Sequence, residues 1–289
     1  MDVSILTVTW NSADFVLRQF ESVKKGSDGL SYEQLVADNN SVDGTVTEIR
    51  KKFPDLALTV FSKNLGFAAA NNELVKKSSG KYFLLLNPDM EVGEGSLKKL
   101  IEFAKQHPKA GIVGGVLYNE AGVIKNNALP RRFPKFFDQL VILLKIHHIF
   151  PKLLNEYLQT GFDFSKAQAV DSVQGSFMLV SREVYSKLGK LFDERFFIWF
   201  EDVDLCQEAK KLGYEVWFTP DAKAIDFGGR SFAKQKLFWK QYQFAKSLIN
   251  YFFKWESFLA GICLAIIAAF VLAVTWVIDL VHDNNSDIN

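Results

Sequence analysis

The sequence is poor in the features that assign a chain quickly. Two cysteines occur in 289 residues, Cys206 and Cys263, and their surroundings differ. No disulfide framework is expected, and a reducing compartment fits. The four histidines, His107, His147, His148 and His282, show no metal-ligand spacing, so a zinc site is not expected. Neither sign of charge is in excess: 34 Lys and Arg against 33 Asp and Glu give a formal net charge of +1. A nucleic-acid partner would need a concentrated basic face, and none is expected. No G-x-G-x-x-G follows the first apolar stretch and no Gly-Lys-Ser/Thr phosphate loop appears, which argues against a dinucleotide fold or a P-loop. Met1-Asp2-Val3-Ser4-Ile5 has no basic leader, so no signal peptide is expected. Internal repeats and low-complexity tracts are absent.

The length suits one large domain with an appendage, or two small domains. One long apolar run is present. From Phe258 to Leu280 the only charge is Asp279. About 20 such residues cross a bilayer core as a helix. A buried core helix is the alternative, although such helices usually carry a polar stripe. Arg230, Lys234, Lys236, Lys240, Lys246 and Lys254 precede the run, and Asp279, Asp283 and Asp287 close it. The positive-inside rule then puts the large N-terminal part in the cytoplasm, with Trp255 and Trp276 as interfacial anchors. The expectation is a single-pass protein of the cell membrane.

The first half alternates strand and helix signals. Strands are expected at Val3–Thr9, Glu33–Ala37, Leu58–Phe61, Tyr82–Leu86 and Ile112–Leu117. Helices are expected at Ala13–Lys24, Thr45–Phe53, Ala68–Lys77 and Ser96–Gln106. Such alternation implies an α/β fold, a mostly parallel sheet flanked by helices, with ligands beyond the carboxyl ends of the strands. Those ends are polar: Thr9-Trp10-Asn11-Ser12, Asp38-Asn39-Asn40-Ser41, Asn64-Leu65-Gly66-Phe67 and Asn87-Pro88-Asp89. Each alone is ordinary turn chemistry, but together they describe one binding edge. Asp89 suits a hard divalent cation, because Mg²⁺ and Mn²⁺ take one or two protein carboxylates together with substrate phosphates. Asn-Pro-Asp is equally a plain turn.

Further on, Phe196-Phe197-Ile198-Trp199-Phe200 runs into Glu201-Asp202-Val203-Asp204, and a helical pattern continues to Leu212. Crowded carboxylates against apolar surface repel one another and lose hydration, which raises a pKa toward the range of a general base. The alternative is N-capping by Asp202, with Asp204 in the first turn.

These blocks together resemble the inverting family 2 glycosyltransferases of the GT-A fold, in particular the rhamnosyltransferase-like branch that builds bacterial surface polysaccharides. The resemblance covers most of Val3 to Ser231. Besides the strand ends it includes Ser41-Val42-Asp43-Gly44-Thr45, Ala68-Ala69-Ala70-Asn71-Asn72, Gly175-Ser176-Phe177-Met178, Phe192-Asp193-Glu194-Arg195 and Gly228-Gly229-Arg230-Ser231. It implies a nucleotide pocket made by Thr9, Asn11, Asp38, Asn64, Gly66, Asn71 and Asn87, with Asp38 reading the base. Asn87 and Asp89 stand at the two ends of the family's Asp-x-Asp metal motif, implying Mg²⁺ or Mn²⁺. Asp202 matches the catalytic base, with Glu201 beside it. Asn87 replaces the motif's first Asp, as it often does in this branch. Asp226 stands where many relatives have His, and is either a metal ligand or a surface acid. Glu201 and Asp204 are read as supporting groups, one orienting and one capping.

The resemblance implies transfer of a sugar from a nucleotide-diphosphate donor to a hydroxyl of a glycan or polyprenyl-linked acceptor, with membrane lipid as a further partner. Residues 1–231 form the expected GT-A catalytic domain, with an acceptor-side insertion at 130–169. A juxtamembrane amphipathic segment follows at 232–256, then a transmembrane helix at 257–281 and a polar tail at 282–289. The basic, aromatic insertion around Arg131–Phe137 and Gln139–Phe150 either rests on lipid or packs on the core. Two other readings remain: a nucleotidyltransferase, which usually has a Gly-rich basic loop that Trp10-Asn11-Ser12 does not supply, and a non-catalytic sugar-nucleotide-binding membrane scaffold.

Overall fold

In the computed structural model, residues 1–27, 29–125, 130–228 and 235–286 are described, 281–286 as backbone only. The block after Gly228, with Arg230 and Lys234, lies outside these residues, as do the side chain of Asp283 and all of Asp287.

Among the described residues nine strands form one sheet in the order β3-β2-β1-β4-β8-β6-β9-β5, and β7 pairs with β9 off this path. β1 (Val3–Thr9), β2 (Tyr32–Asp38), β3 (Ala57–Val60) and β4 (Tyr82–Leu86) pair in parallel, as the alternating pattern requires. The crossovers are α1 (Val16–Gly26), α2 (Thr45–Lys52) and α3 (Phe67–Lys76). The sheet becomes mixed beyond β4. β8 (Phe177–Ser181) runs antiparallel to both β4 and β6 (Ala110–Tyr118). β9 (Glu215–Asp226) is parallel to β6 and antiparallel to the short β5 (Met90–Val92) and β7 (Gln168–Val170). The short strands β5 and β7 carry too few residues to show a period of their own.

Because successive strand side chains point to opposite faces, a sheet covered on both faces is apolar throughout. Phe83, Leu85, Met178 and Val180 join one core, with α3 and Leu205 and Cys206 of α7 (Glu201–Lys211). Leu84, Leu86, Phe177 and Leu179 join the other, with Leu97, Leu100 and Ile101 of α4 (Ser96–Gln106).

The insertion folds as α5 (Phe136–Leu143) followed by 3-10 turns at Ile146–His148 and Pro151–Leu154. After β8 comes α6 (Arg182–Leu188), and after β9 come α8 (Leu237–Trp255) and α9 (Phe258–Ser286). A third core unites these late helices with the aromatic run: Leu143, Phe196, Phe200, Leu248, Tyr251, Phe252 and Leu264 bury one another. The segment expected to be merely juxtamembrane is therefore packed onto the unit that carries Asp202.

Candidate active site

The polar strand ends are tied into a single network. Asp38, fully buried at the end of β2, accepts from Thr9 Oγ1 at 3.0 Å, from the Ser41 amide at 2.8 Å and from Ser41 Oγ at 2.5 Å. The Asn11 amide donates to Ser41 Oγ at 2.8 Å, and Asn11 Oδ1 accepts from the Val42 amide at 2.9 Å. Asn39, part of the expected binding edge but given no role of its own, bridges the next strand end. Its Nδ2 donates to the Gly66 carbonyl at 3.1 Å and its Oδ1 accepts from the Leu65 amide at 3.2 Å. Asn64 Oδ1 accepts from the Gly66 amide at 2.8 Å. Asn71, on α3, donates to the Phe67 carbonyl at 3.0 Å, and its buried Oδ1 has no hydrogen-bond partner.

Gly66 joins this network to the aromatic run. It has φ +85°, and a Cβ there would lie 2.4 Å from the Phe197 carbonyl oxygen. The Phe67 amide donates to that same oxygen at 2.8 Å. Only glycine permits both the left-handed backbone and so close an approach.

Asp202 sits in the first turn of α7 and is half-buried. The Gly175 amide donates to its Oδ2 at 3.0 Å and the Val203 amide to its Oδ1 at 2.8 Å. One residue beyond Gly175, the Ser176 carbonyl accepts from the Asn87 amide at 3.1 Å. The two-residue step Gly175–Ser176 thus links the acid on α7 to the Asn-Pro-Asp turn. The Asp89 carbonyl in turn accepts from the Phe227 amide at 3.0 Å, and Met90 pairs with Asp226 across β5 and β9. Asp89 and Asp226 therefore stand at neighbouring strand ends. Asp226 is already engaged: Lys125 Nζ lies 2.8 Å from its Oδ2, and its Oδ1 accepts from the Gly228 amide at 2.7 Å. A shallow, open hollow lies here, lined by Asn119, Lys125, Asp226 and Gly228 among others. Among the described residues no group of three or more His, Cys, Asp and Glu side chains is arranged around a metal position.

Burial pushes the Asp202 carboxyl above its ordinary value, while the Gly175 and Val203 amides and the charge of Arg131 pull the other way. Burial, and then the negative charge of Asp202, push Glu201 well above its ordinary value. Glu201 Oε2 is buried without a hydrogen-bond partner. Burial and the Asp202 charge both disfavour its anion, more strongly than burial disfavours that of Asp202.

Two expectations about this turn are corrected. Asp202 is not the N-cap; that position belongs to Phe200, which has no capping side chain, so the helix begins two residues earlier than that alternative required. Asp204 does not cap either. It is buried, and it binds Lys254 Nζ at 2.7 Å and Trp255 Nε1 at 2.6 Å, both on α8. The pattern of acids near a helix start suggested capping because local rules are all that spacing reports; the partners come from 50 residues further along.

The turn into α7 is strained. Trp199 and Phe200 have φ +64° and +68°, a left-handed conformation that bulky residues adopt at a cost of order 1–3 kcal/mol each. α8 holds them in place. Ser247 Oγ donates to the Ile198 carbonyl at 2.8 Å and Asn250 Nδ2 to the Arg195 carbonyl at 3.0 Å. The Tyr251 hydroxyl donates to Gln207 on α7.

Sequence reasoning also missed Asn72. Its Oδ1 accepts from the Leu191 and Phe192 amides at 3.2 and 2.9 Å, and its Nδ2 donates to the Phe192 carbonyl at 2.9 Å and to Glu194 at 3.0 Å. It fixes the start of the aromatic run to α3. Its only sequence signal was a second amide beside Asn71.

Comparison with known proteins bears on this arrangement. The model of glycosyl transferase family 2 matches residues 4–189. An N-acetylglucosaminyl-diphospho-decaprenol L-rhamnosyltransferase of Mycobacterium tuberculosis is 28% identical over 204 residues, 66% of this chain; the chain spans about 65% of that relative's length. The rhamnosyltransferase WbbL of Escherichia coli is 25% identical over 248 residues, 82% of this chain and 89% of that protein. Among solved structures, the Pyrobaculum calidifontis mannosyltransferase PcManGT in complex with GDP-Man and Mn²⁺ superposes with a TM-score of 0.59 at 19% identity, covering 95% of this chain and 75% of that one. S. aureus TarS residues 1–349 in complex with UDP-GlcNAc gives 0.53 at 16% identity, covering 86% and 67%. At these identities the structural likeness speaks for the fold.

Proposed function

The chain belongs to glycosyl transferase family 2, and from that premise we propose that it transfers a sugar, with inversion, from a nucleotide-diphosphate donor to a hydroxyl of a glycan in surface-polysaccharide synthesis. One observation carries the reading: Asp202, partly exposed and raised in pKa, is joined through Gly175–Ser176 to the turn that presents Asn87 and Asp89.

Asp202 takes the proton of the acceptor hydroxyl as that oxygen attacks the anomeric carbon. Such general-base help is worth about 10²–10⁴ in rate. With base and leaving diphosphate on opposite faces of the sugar, one in-line displacement inverts the centre, as in inverting glycoside chemistry with the acceptor replacing water. Glu201 stays protonated beside it. Thr9, Asn11, Asp38, Asn64, Gly66 and Asn71 form the nucleotide pocket. The orphaned Asn71 Oδ1 and Ser176 Oγ, buried on segments that meet here, suit a polar ligand that would satisfy them.

A divalent cation, Mg²⁺ or Mn²⁺, fits the oxygen donors present, one carboxylate and one amide, when substrate phosphates complete the shell. Asp89 and Asn87 would hold it, and it would neutralise charge on the departing diphosphate. Asp226 would join only on release by Lys125. The catalytic unit is residues 1–231 with the acceptor-side insertion at 130–169, followed by the segment 232–256, the apolar helix 257–281 and the tail 282–289. We read the enzyme as held at the membrane by α9, with its catalytic unit cytoplasmic and its acceptor a polyprenyl-diphosphate-linked glycan. The apolar character of α9 and the acceptor named for the mycobacterial relative support this.

The test is a panel of nucleotide-diphosphate sugars with purified full-length protein, with and without Mg²⁺ or Mn²⁺. Binding is read by thermal stabilisation and transfer by released nucleotide diphosphate. Asp202→Asn keeps the stabilisation and loses at least about 10² in turnover. Equal turnover in that variant removes Asp202 from the mechanism.

A further inference from the structure

We propose that α9 does not cross the bilayer but lies flat on it, and that α9, α8 and the insertion's turns form one docking face for an anionic lipid surface. This rests on the reading of the chain as a membrane-attached enzyme and goes beyond it in how attachment is made.

The two ends of α9 are fixed to α8. At one end, a Cβ on Gly261 would sit 2.6 Å from the Phe253 ring, and the rings of Phe253 and Phe258 lie 5.4 Å apart. At the other, Asp279 Oδ2 accepts the Phe238 amide at 2.8 Å, capping the start of α8. α9 therefore runs antiparallel along the length of α8. That helix is itself bound to the catalytic unit at both ends: Trp239 packs on Trp10 and Phe197, with ring centroids 6.1 Å apart in each pair, and Lys254 meets Asp204. A crossing α9 would carry α8 into the hydrocarbon with Lys240 and Lys246, where a charged side chain is costly, together with the strained turn before Glu201.

The outward face of α9 is a continuous apolar stripe. Gly261, Leu264, Ala268 and Thr275 face inward and are buried. Leu259, Ile262, Ile266, Phe270, Val274 and Val277 face outward, with Leu259 73% and Phe270 68% exposed. At 1.5 Å per residue the stripe from Phe258 to Leu280 is about 34 Å long, and a stripe of that kind is not left in water. α5 packs against α9, and Leu143 shares a core with Leu264. The turns that follow α5 add exposed Leu144, Ile149, Phe150 and Leu153.

Charge selects the occupant. Lys145, Lys152 and Lys246 are exposed on these elements, and the sequence from Phe232 to Trp255 contains no acid. The acids beside α5 are engaged, Asp138 with the Lys135 amide and Glu156 with its ammonium. A second copy of the chain would bring lysine against lysine, whereas an anionic leaflet attracts each of them.

The test uses the full chain with sealed, preformed vesicles and requires no turnover, so a missing sugar donor or acceptor cannot imitate failure. Ser257→Cys and Leu280→Cys are made separately in a Cys263→Ser background, where the remaining Cys206 is buried. The proposal expects an impermeant thiol reagent added outside to label both positions without detergent. It also expects binding about tenfold or more stronger to phosphatidylglycerol-containing vesicles than to phosphatidylcholine alone. Ile266→Glu with Phe270→Glu abolishes binding. Labelling of Leu280→Cys only after detergent means α9 crosses and overturns the proposal. Failure to bind either vesicle, with dimers in lipid-free solution, overturns it in favour of a second copy.

Discussion

The Lys254 ammonium lies 2.7 Å from the carboxylate of Asp204, on the same turn of α7 as Asp202. It also lies 2.9 Å from Glu208 and 3.4 Å from Asp193. Arg195 shares Asp193. Burial works against that carboxylate's charge, but the hydrogen bonds from Arg195 outweigh it and hold Asp193 far below its usual range. One cation on α8 thus serves three acids around the catalytic helix. Removing one partner of a buried ion pair costs about 3–5 kcal/mol. Lys254→Met is expected to lose stability of that order in denaturant unfolding, and Asp204→Asn in the same chain to recover part of it. If Lys254→Met unfolds at the same denaturant concentration as the parent, α8 does not clamp α7.

Gly66 is where the strand-end network, the proposed nucleotide pocket, meets the aromatic run. A left-handed non-glycine residue costs about 1–2 kcal/mol, and a methyl 2.4 Å from the Phe197 oxygen must displace backbone. Gly66→Ala should weaken nucleotide-sugar binding and lower turnover together, because one shift moves both the pocket and the run into Asp202. Binding by calorimetry and turnover by nucleotide release check this; a change in only one of them separates the two regions.

Legibility in the sequence followed the range of the forces involved. β1 and β4 were placed residue for residue, because a fully buried strand declares itself by a short apolar run. β5, β7, β8 and β9 were not among the expected strands; β5 and β7 have three residues each and carry no period, and β8 and β9 lie beyond the strand–helix alternation of the first half. The polar strand ends were read as one edge, and Thr9, Asn11, Asp38 and Gly66 do interlock. Asp204 was misread because its partners Lys254 and Trp255 belong to the segment read as juxtamembrane, with no sign in the sequence that it packs on α7. Lys125, which occupies Asp226, was likewise invisible, because no local rule joins the segment after β6 to the end of β9.

The metal requirement should depend unequally on the two acids. Asp89 is the only carboxylate in the Asn-Pro-Asp turn, whereas Asp226 is neutralised by Lys125. Asp89→Asn is expected to remove stimulation by Mn²⁺, with a loss on the order of 10² in turnover from the lost charge stabilisation. Asp226→Asn should cost much less. Titrating each variant with Mn²⁺ decides; a larger loss for Asp226→Asn reverses the assignment.

Asp202 must be ionised to act as a base, so turnover should fall as pH drops through its raised pKa. The Arg131 charge opposes that rise. Arg131→Gln should therefore move the acidic limb of kcat/KM to higher pH while leaving the alkaline plateau in place. A plateau that collapses with no shift of the limb would mean Arg131 binds substrate instead.

Glu201 offers a separate test through stability. Its carboxyl binds a proton more tightly in the folded protein than in the unfolded chain, because burial and the Asp202 charge disfavour its anion. The stability this contributes is fully present below the unfolded value and is lost as pH rises through the folded one. Glutamine keeps the shape and has no proton to lose. Glu201→Gln should therefore match the parent's melting temperature in acid and exceed it at neutral to alkaline pH. Each pH unit of folded-state shift traversed is worth about 1.4 kcal/mol. Melting curves of both proteins across that range, without ligand, give the difference directly. A gap that is constant with pH would mean Glu201 does not titrate between the two states, and the protonated neighbour assigned to Asp202 would be lost.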